Sequence, residues 1–257
     1  MRRAILLAAS LAAIGTLARA SDLAPGKQRS SYQDMAPATR SMQDADTDNP
    51  AMLWVLDGEA LWRTKAGIAD RACADCHGDA RETMRGVAAR HPAFDAKRDA
   101  PISLEGRING CRTEQQKAPA LAYESKELLA LSAYVALQSR GLPIESSDPR
   151  LEPAIAAGRA EFMRRQGQLN LGCVHCHDQR YGEKLAGSTI PQGHPNGYPL
   201  YRLEWQTLGS LQRRLRNCLT GMRAENYPLG SPELVALETY LMRRARGMTV
   251  ESPAVRP

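Results

Sequence analysis

A five-residue pattern occurs twice in this chain and constrains its fold more than any other feature. It reads Cys73-Ala74-Asp75-Cys76-His77 and, 100 residues on, Cys173-Val174-His175-Cys176-His177. Both copies are C-x-x-C-H. Two thiols at that spacing can each close a thioether on a vinyl group of a haem, and the residue that follows brings an imidazole under the iron; the pattern therefore marks covalent c-type haem attachment. A bare C-x-x-C also serves redox dithiols, but these need a reactive thiol at a helix start in a βαβ setting, and no such alternation is present. Cys73, Cys76, Cys173 and Cys176 are thus expected to hold two haem c groups, with His77 and His177 as proximal iron ligands.

The repeat extends beyond the motifs. Gly58-Glu59-Ala60-Leu61-Trp62 begins fifteen residues before Cys73, and Gly158-Arg159-Ala160-Glu161-Phe162 begins fifteen before Cys173. A glycine followed four residues later by an aromatic suits a helix packed closely on another helix. Downstream, Ser125-x-Glu127-Leu128-x-Ala130-Leu131-x-x-Tyr134 matches Ser231-x-Glu233-Leu234-x-Ala236-Leu237-x-x-Tyr240. Leucines three apart mark a buried helical face, each serine is placed as an N-cap, and Pro232 takes the favoured first helical position. Each unit reads as helix, haem loop, irregular stretch and closing helix. That order resembles the class I cytochrome c fold, so the expectation is an all-α chain of two tandem cytochrome c-like domains, each with its own core and one covalently bound haem, over 51–140 and 154–257. The breaker-rich stretch 141–153 suits a linker. Residues 21–50 lack periodicity and read as an arm across the domains or as partly disordered.

The first twenty residues read as a secretory signal: Arg2 and Arg3, an apolar run from Ala4 to Leu17, and the small-x-small site Ala18-Arg19-Ala20. The run is too short for a membrane span, and no later stretch reaches that length. Cleavage would remove three arginines and no acid, lowering the formal charge from +6 to +3. The expected compartment is a bacterial periplasm. With no basic stripe interleaved with aromatics, a nucleic-acid partner is not expected. Aromatic residues are only 5% of the chain, lean for cores of this size, and two haems would supply the missing apolar surface.

Two cysteines remain, Cys111 and Cys218, and both lie between a haem motif and a closing helix. Each follows an arginine by four residues, in Arg107-Ile108-Asn109-Gly110-Cys111 and Arg214-Leu215-Arg216-Asn217-Cys218. Counting alone allows a disulfide between them. Their equivalence in the repeat favours equivalent roles instead, as sixth iron ligands. Met84 and Met222 follow their histidines by 7 and 45 residues and are not equivalent. His91 and His194 fail the same test, and His175 inside the second motif should point away from the iron. Arg213, Arg214, Arg216 and Arg223 concentrate positive charge around Cys218; Arg213 and Arg216 are expected on a solvated helix face, and Arg214 one turn before the cysteine is the candidate anion ligand.

At these residues the chain resembles the SoxA family of dihaem cytochromes. The stretches that carry the resemblance include Ile108 to Glu114, Leu128 to Gly141, Gly167 to Leu171, Gln192 to Pro199 and Tyr201 to Cys218. The resemblance implies an enzyme that joins thiosulfate to a cysteine of the SoxYZ carrier protein with loss of two electrons. It implies a heterodimer with the monohaem SoxX subunit, and electrons passing to a small acceptor cytochrome c. It further implies that the second haem is the active site, with Cys218 as iron ligand and sulfur-carrying thiolate or persulfide, Arg214 lining the substrate site, and His77 and Cys111 on the more distant first haem. Thiosulfate dehydrogenase, which forms tetrathionate, and a plain electron-transfer dihaem cytochrome are the alternatives.

Overall fold

The computed structural model describes residues 26–257; the expected signal segment, 1–20, lies outside them. Helix α1 (Pro37–Asp44) belongs to the N-terminal arm. The first unit comprises α2 (Met52–Arg63), the haem-motif turn α3 (Cys73–His77), α4 (Ala80–Thr83), a hairpin of β1 (Ala93–Asp95) and β2 (Ala100–Ile102), α5 (Leu104–Cys111) and α6 (Lys126–Leu137). The second repeats the plan with α7 (Glu152–Met163), α8 (Cys173–His177), the hairpin β3 (Lys184–Leu185) and β4 (Ser188–Thr189), strands β5 (Leu200–Arg202) and β6 (Thr207–Gly209), α9 (Leu211–Gly221) and α10 (Pro232–Arg244). Strand β7 (Ala254–Arg256) then pairs parallel to β5, whose other neighbour is the antiparallel β6. No helix among the described residues is long and apolar enough to cross a membrane.

The glycine–aromatic signal has an atomic cause. A Cβ on Gly58 would stand 2.1 Å from the Ala130 carbonyl oxygen, and one on Gly158 would stand 2.0 Å from that of Ala236. Backbone therefore crosses backbone where α2 meets α6 and where α7 meets α10, and only glycine admits the approach. The aromatic four residues on completes the contact: Trp62 meets Tyr134 edge-on at 5.9 Å, and Phe162 meets Tyr240 edge-on at 5.5 Å. Ser125 and Ser231 cap α6 and α10 by accepting from the Leu128 and Leu234 amides, and Pro232 opens α10.

The two cores are not separate. Tyr201 and Leu208, from β5 and β6, are buried in the core of the first unit, where Tyr201 meets Trp54 at 5.8 Å. In return Phe94 of β1 packs on the second core. The expected linker is pinned as well, with Gly141 and Ile144 amides donating to the Val250 and Met248 carbonyls at 2.9 Å each. The arm lies across the second unit, where Gln43 of α1 accepts from the Val255 amide at 3.1 Å and the Arg256 guanidinium donates to Ser31 at 2.8 Å.

Buried acids occupy the seam between the units. Glu105 on α5 and Glu238 on α10 line a small common cavity with His91, and burial followed by repulsion from Glu105 pushes the Glu238 carboxyl up to about 8. In the unfolded chain a glutamate titrates near ~4.3, so as pH rises from there towards 8 the folded state keeps a proton the unfolded state has released. Stability must fall over that window. Glu238→Gln, which keeps the bond that Gln212 now donates to Glu238 at 3.0 Å, is expected to flatten the fall in melting temperature between pH 5 and 8. An unchanged slope would place its cause elsewhere.

Candidate active site

The second unit holds the better-formed site. Helix α8 ends on His177, whose Nδ1 lies 2.7 Å from the Pro191 carbonyl oxygen. That bond fixes the ring through Nδ1, the kind of outer contact that orients a metal-binding imidazole. The loop carrying Pro191 presses on the ring so closely that a Cβ at Gly193, whose φ is +75°, would stand 3.0 Å from Nδ1. Phe162 packs against the same imidazole at 6.5 Å.

Helix α9 supplies the opposite wall. Ser210 caps it by accepting from the Arg213 amide at 3.1 Å, eight residues before Cys218; Ser103 caps α5 by accepting from Gly106 at 3.1 Å, eight before Cys111. This Ser-Leu start is a further piece of the repeat that motif spacing did not single out. Between the walls lies a cavity of about 490 Å³ bounded by Cys173, His177 and Cys218 and by the apolar side chains of Phe162, Leu215 and Leu237, among others. A thioether-forming thiol, an oriented imidazole, a facing sulfur and apolar walls are the surroundings a haem c requires. The residues therefore fit the group.

All six cysteines are free thiols, so Cys111 and Cys218 are not joined by a disulfide. Instead, each cysteine is close enough to the motif of its own unit to influence a thiol there: Cys111 to Cys73, Cys218 to Cys173. In the first unit Trp62 stacks at 5.7 Å on His77. Met84 packs against the first core. Met222 lines the second cavity, but its carbonyl abuts Gly167, in the place Gln116 holds against Gly67. The counts from cysteine differ, four residues to Met222 and five to Gln116, because a π-helical turn at Arg112–Gln116 absorbs one extra residue. His175 is turned to the Arg165 guanidinium at 2.8 Å and to the Gly172 amide at 2.9 Å. His91 lies against the Val87 carbonyl at 2.8 Å. His194 lines the cavity 3.1 Å from Gln192, and burial lowers its pKa to about 4.

The matching arginines are where the two sites part. Arg107 is held at 3.1 Å by Asp95, a buried carboxylate that also binds Arg98 at 2.6 Å. Arg214 lines the cavity, and no carboxylate among the described residues lies within ion-pairing distance of it. The cysteines diverge accordingly. Burial raises the Cys111 thiol, with Arg107 only partly opposing it. Burial also opposes ionisation of Cys218, yet a hydrogen bond from His177 and the charge of Arg214 outweigh it and bring the thiol below its ordinary value. Arg213 is turned away, 4.3 Å over the Trp205 ring, and Arg223 is exposed. Two cavity residues were invisible to spacing. Tyr198 and Arg202 stand close enough to Cys218 and Arg214 to share their electrostatics.

Helical repeats, oriented imidazoles and paired thiols define a tandem c-type cytochrome whose second pocket also carries an anion-attracting wall. A family model described as SoxA/TsdA, cytochrome c domain, matches residues 57–144 and 157–250. The SoxA subunit of L-cysteine S-thiosulfotransferase from Pseudaminobacter salicylatoxidans is 37% identical over 220 residues, 85% of this chain and 77% of that one. Its counterpart from Rhodovulum sulfidophilum is 34% identical over 229 residues, 89% and 80% of the two chains. The crystal structure of SoxXA from P. pantotrophus superposes with a TM-score of 0.85 at 30% identity, covering 90% of this chain and 87% of that one. This chain belongs to the SoxA family, and the cytochrome c domain implies covalently bound haem c.

Proposed function

We propose that this chain is the SoxA subunit of an L-cysteine S-thiosulfotransferase, joining thiosulfate to a cysteine of a SoxYZ carrier protein. Relatives of the same length class carry that name, and one observation in this chain carries the reading: an unneutralised guanidinium, Arg214, in the same cavity as Cys218. On this reading the chain holds two haem c groups. Cys73 and Cys76 bind the first, with His77 and Cys111 as iron ligands; Cys173 and Cys176 bind the second, with His177 and Cys218. When bound, the haem supplies one-electron acceptance.

The residues perform the rest. Arg214 holds the sulfonate end of thiosulfate by paired charge-assisted hydrogen bonds and turns the outer sulfur towards Cys218. The Cys218 thiolate forms a sulfur–sulfur bond to that outer sulfur, and two electrons leave. The carrier thiolate attacks the same sulfur, expels the Cys218 thiolate, and departs as a thiosulfonate disulfide without further electron loss. Overall one S–H bond of the carrier is replaced by one S–S bond, and one proton and two electrons are released. Two equivalents of a small oxidised cytochrome c take the electrons, by way of a monohaem SoxX partner in a heterodimer. Residues 1–20 as an export signal place the complex in the periplasm.

The test is the product. Complex, thiosulfate and oxidised acceptor cytochrome are incubated with and without carrier, and the carrier is weighed by mass spectrometry. A thiosulfate adduct on its cysteine, absent without this chain, is expected; tetrathionate formed equally well without carrier would overturn the reading. Arg214→Gln is expected to raise the thiosulfate KM roughly 10- to 100-fold, the worth of about 1.5–3 kcal/mol for a hydrogen bond to a charged group.

A further inference from the structure

Arg202 ends β5 and lines the same cavity as Arg214, yet the haem-motif repeat does not announce it. Its backbone is fixed on both sides, opposite Thr207 of β6 and opposite Arg256 of β7. The guanidinium stacks on Trp205 at 5.4 Å, and its Nε lies 2.7 Å from a carboxylate oxygen of Glu204. The two partners differ in setting: the Arg202 side chain is 17% exposed and that of Glu204 is 64% exposed. The carboxylate thus reaches in from solvent, where such pairs are weak and easily exchanged.

A third arginine of the cavity wall, Arg256, makes a useful contrast. Glu251, Gln43 and Ser31 all accept from it, so it is saturated by its own chain. Arg202 and Arg214 are not. Both bear on Cys218, and each opposes the charge of the other across the pocket; Glu204 at the rim reaches Arg202, and no carboxylate among the described residues pairs with Arg214. Two guanidinium groups in one partly buried cavity repel until something doubly negative lies between them.

We propose that Arg202 is the second cation of the substrate site: together with Arg214 it clamps the sulfonate oxygens of thiosulfate, and Glu204 occupies it until the dianion arrives. This rests on the cavity being the thiosulfate site. The clamp selects dianions over monoanions of similar size, because a single negative charge cannot satisfy both guanidinium groups.

The complex loaded with haem is titrated with thiosulfate by calorimetry, with neither carrier nor acceptor present, and turnover is measured separately. Arg202→Gln is expected to weaken thiosulfate binding and raise its KM roughly 10- to 100-fold, with kcat changed less than about 3-fold. Glu204→Gln is expected to tighten binding a few-fold by freeing Arg202. Wild-type affinity in Arg202→Gln, alongside weakened binding in Arg214→Gln, overturns the clamp and leaves the site reading intact. Wild-type affinity in both variants overturns the site reading itself. A rise in the carrier KM instead of the thiosulfate KM also overturns the clamp. If Arg202→Gln fails to retain haem, Glu204→Gln decides, and unchanged affinity there counts against the proposal.

Discussion

Cys218→Ala is expected to lower carrier conjugation by a factor of at least about 10³, the scale seen when an enzyme loses its nucleophile but keeps its binding site. The haem should stay in place, since Cys173 and Cys176 hold it covalently, so the mass of attached haem is expected to be unchanged. Thiosulfate should still bind, because Arg214 is untouched. The matched control is Cys111→Ala. Its arginine is bound to Asp95 at 3.1 Å and its thiol is pushed up by burial, so the first site lacks both the free cation and the ready thiolate. Conjugation should therefore survive that change with a loss of less than about 10-fold. Normal turnover by Cys218→Ala would remove the covalent role assigned to it.

Gly158→Ala is expected to lower the melting temperature by about 5 °C. Two effects oppose one another here. Alanine favours a helix over glycine by about 1 kcal/mol. The added methyl, however, would stand 2.0 Å from the Ala236 carbonyl oxygen and 2.8 Å from the Tyr240 Cβ. The first of these is backbone, which cannot swing aside as the tip of a lysine can, so α7 must move off α10. Overpacking of that kind costs about 1–3 kcal/mol and sometimes more, which outweighs the helix gain; each net kcal/mol is worth several degrees in a unit of this size. Gly221→Ala provides the comparison, as nothing lies within 4 Å of a Cβ there. It is expected to be neutral or slightly stabilising. A Gly158→Ala protein that melts with the wild type would mean that the helices separate at no cost.

Much of the plan was legible in the amino acids because each piece depends on short-range chemistry. A thioether pair followed by imidazole needs only five consecutive residues. The N-caps at Ser125 and Ser231 need a serine and the next turn of helix. The Gly58 and Gly158 crossings leave a trace because close backbone approach tolerates no other residue. Less visible were the strands, whose two or three residues are too short to set up a period of two. The exchange of Tyr201 and Leu208 into the first core joins segments some 140 residues apart, and no local pattern records such a pairing. The π-helical turn after Cys111 was also hidden, since one inserted residue only becomes evident when Gln116 and Met222 are seen against their glycines.

The site shows the same division. By itself the sequence determined that this is a tandem cytochrome with two equivalent Arg-x-x-x-Cys helices, since covalent attachment and helix spacing are properties of neighbouring residues. It gathered extra arginines around Cys218, but it offered no way to tell whether Arg107 or Arg214 would be left without a carboxylate. Only the tertiary structure decided that, by turning Asp95 of the preceding hairpin onto Arg107 while, among the described residues, no carboxylate reaches Arg214. Charge acts through space and falls with distance and screening rather than with separation along the chain. Which of two identical motifs is left electrostatically unsatisfied is therefore decided only when the chain has folded.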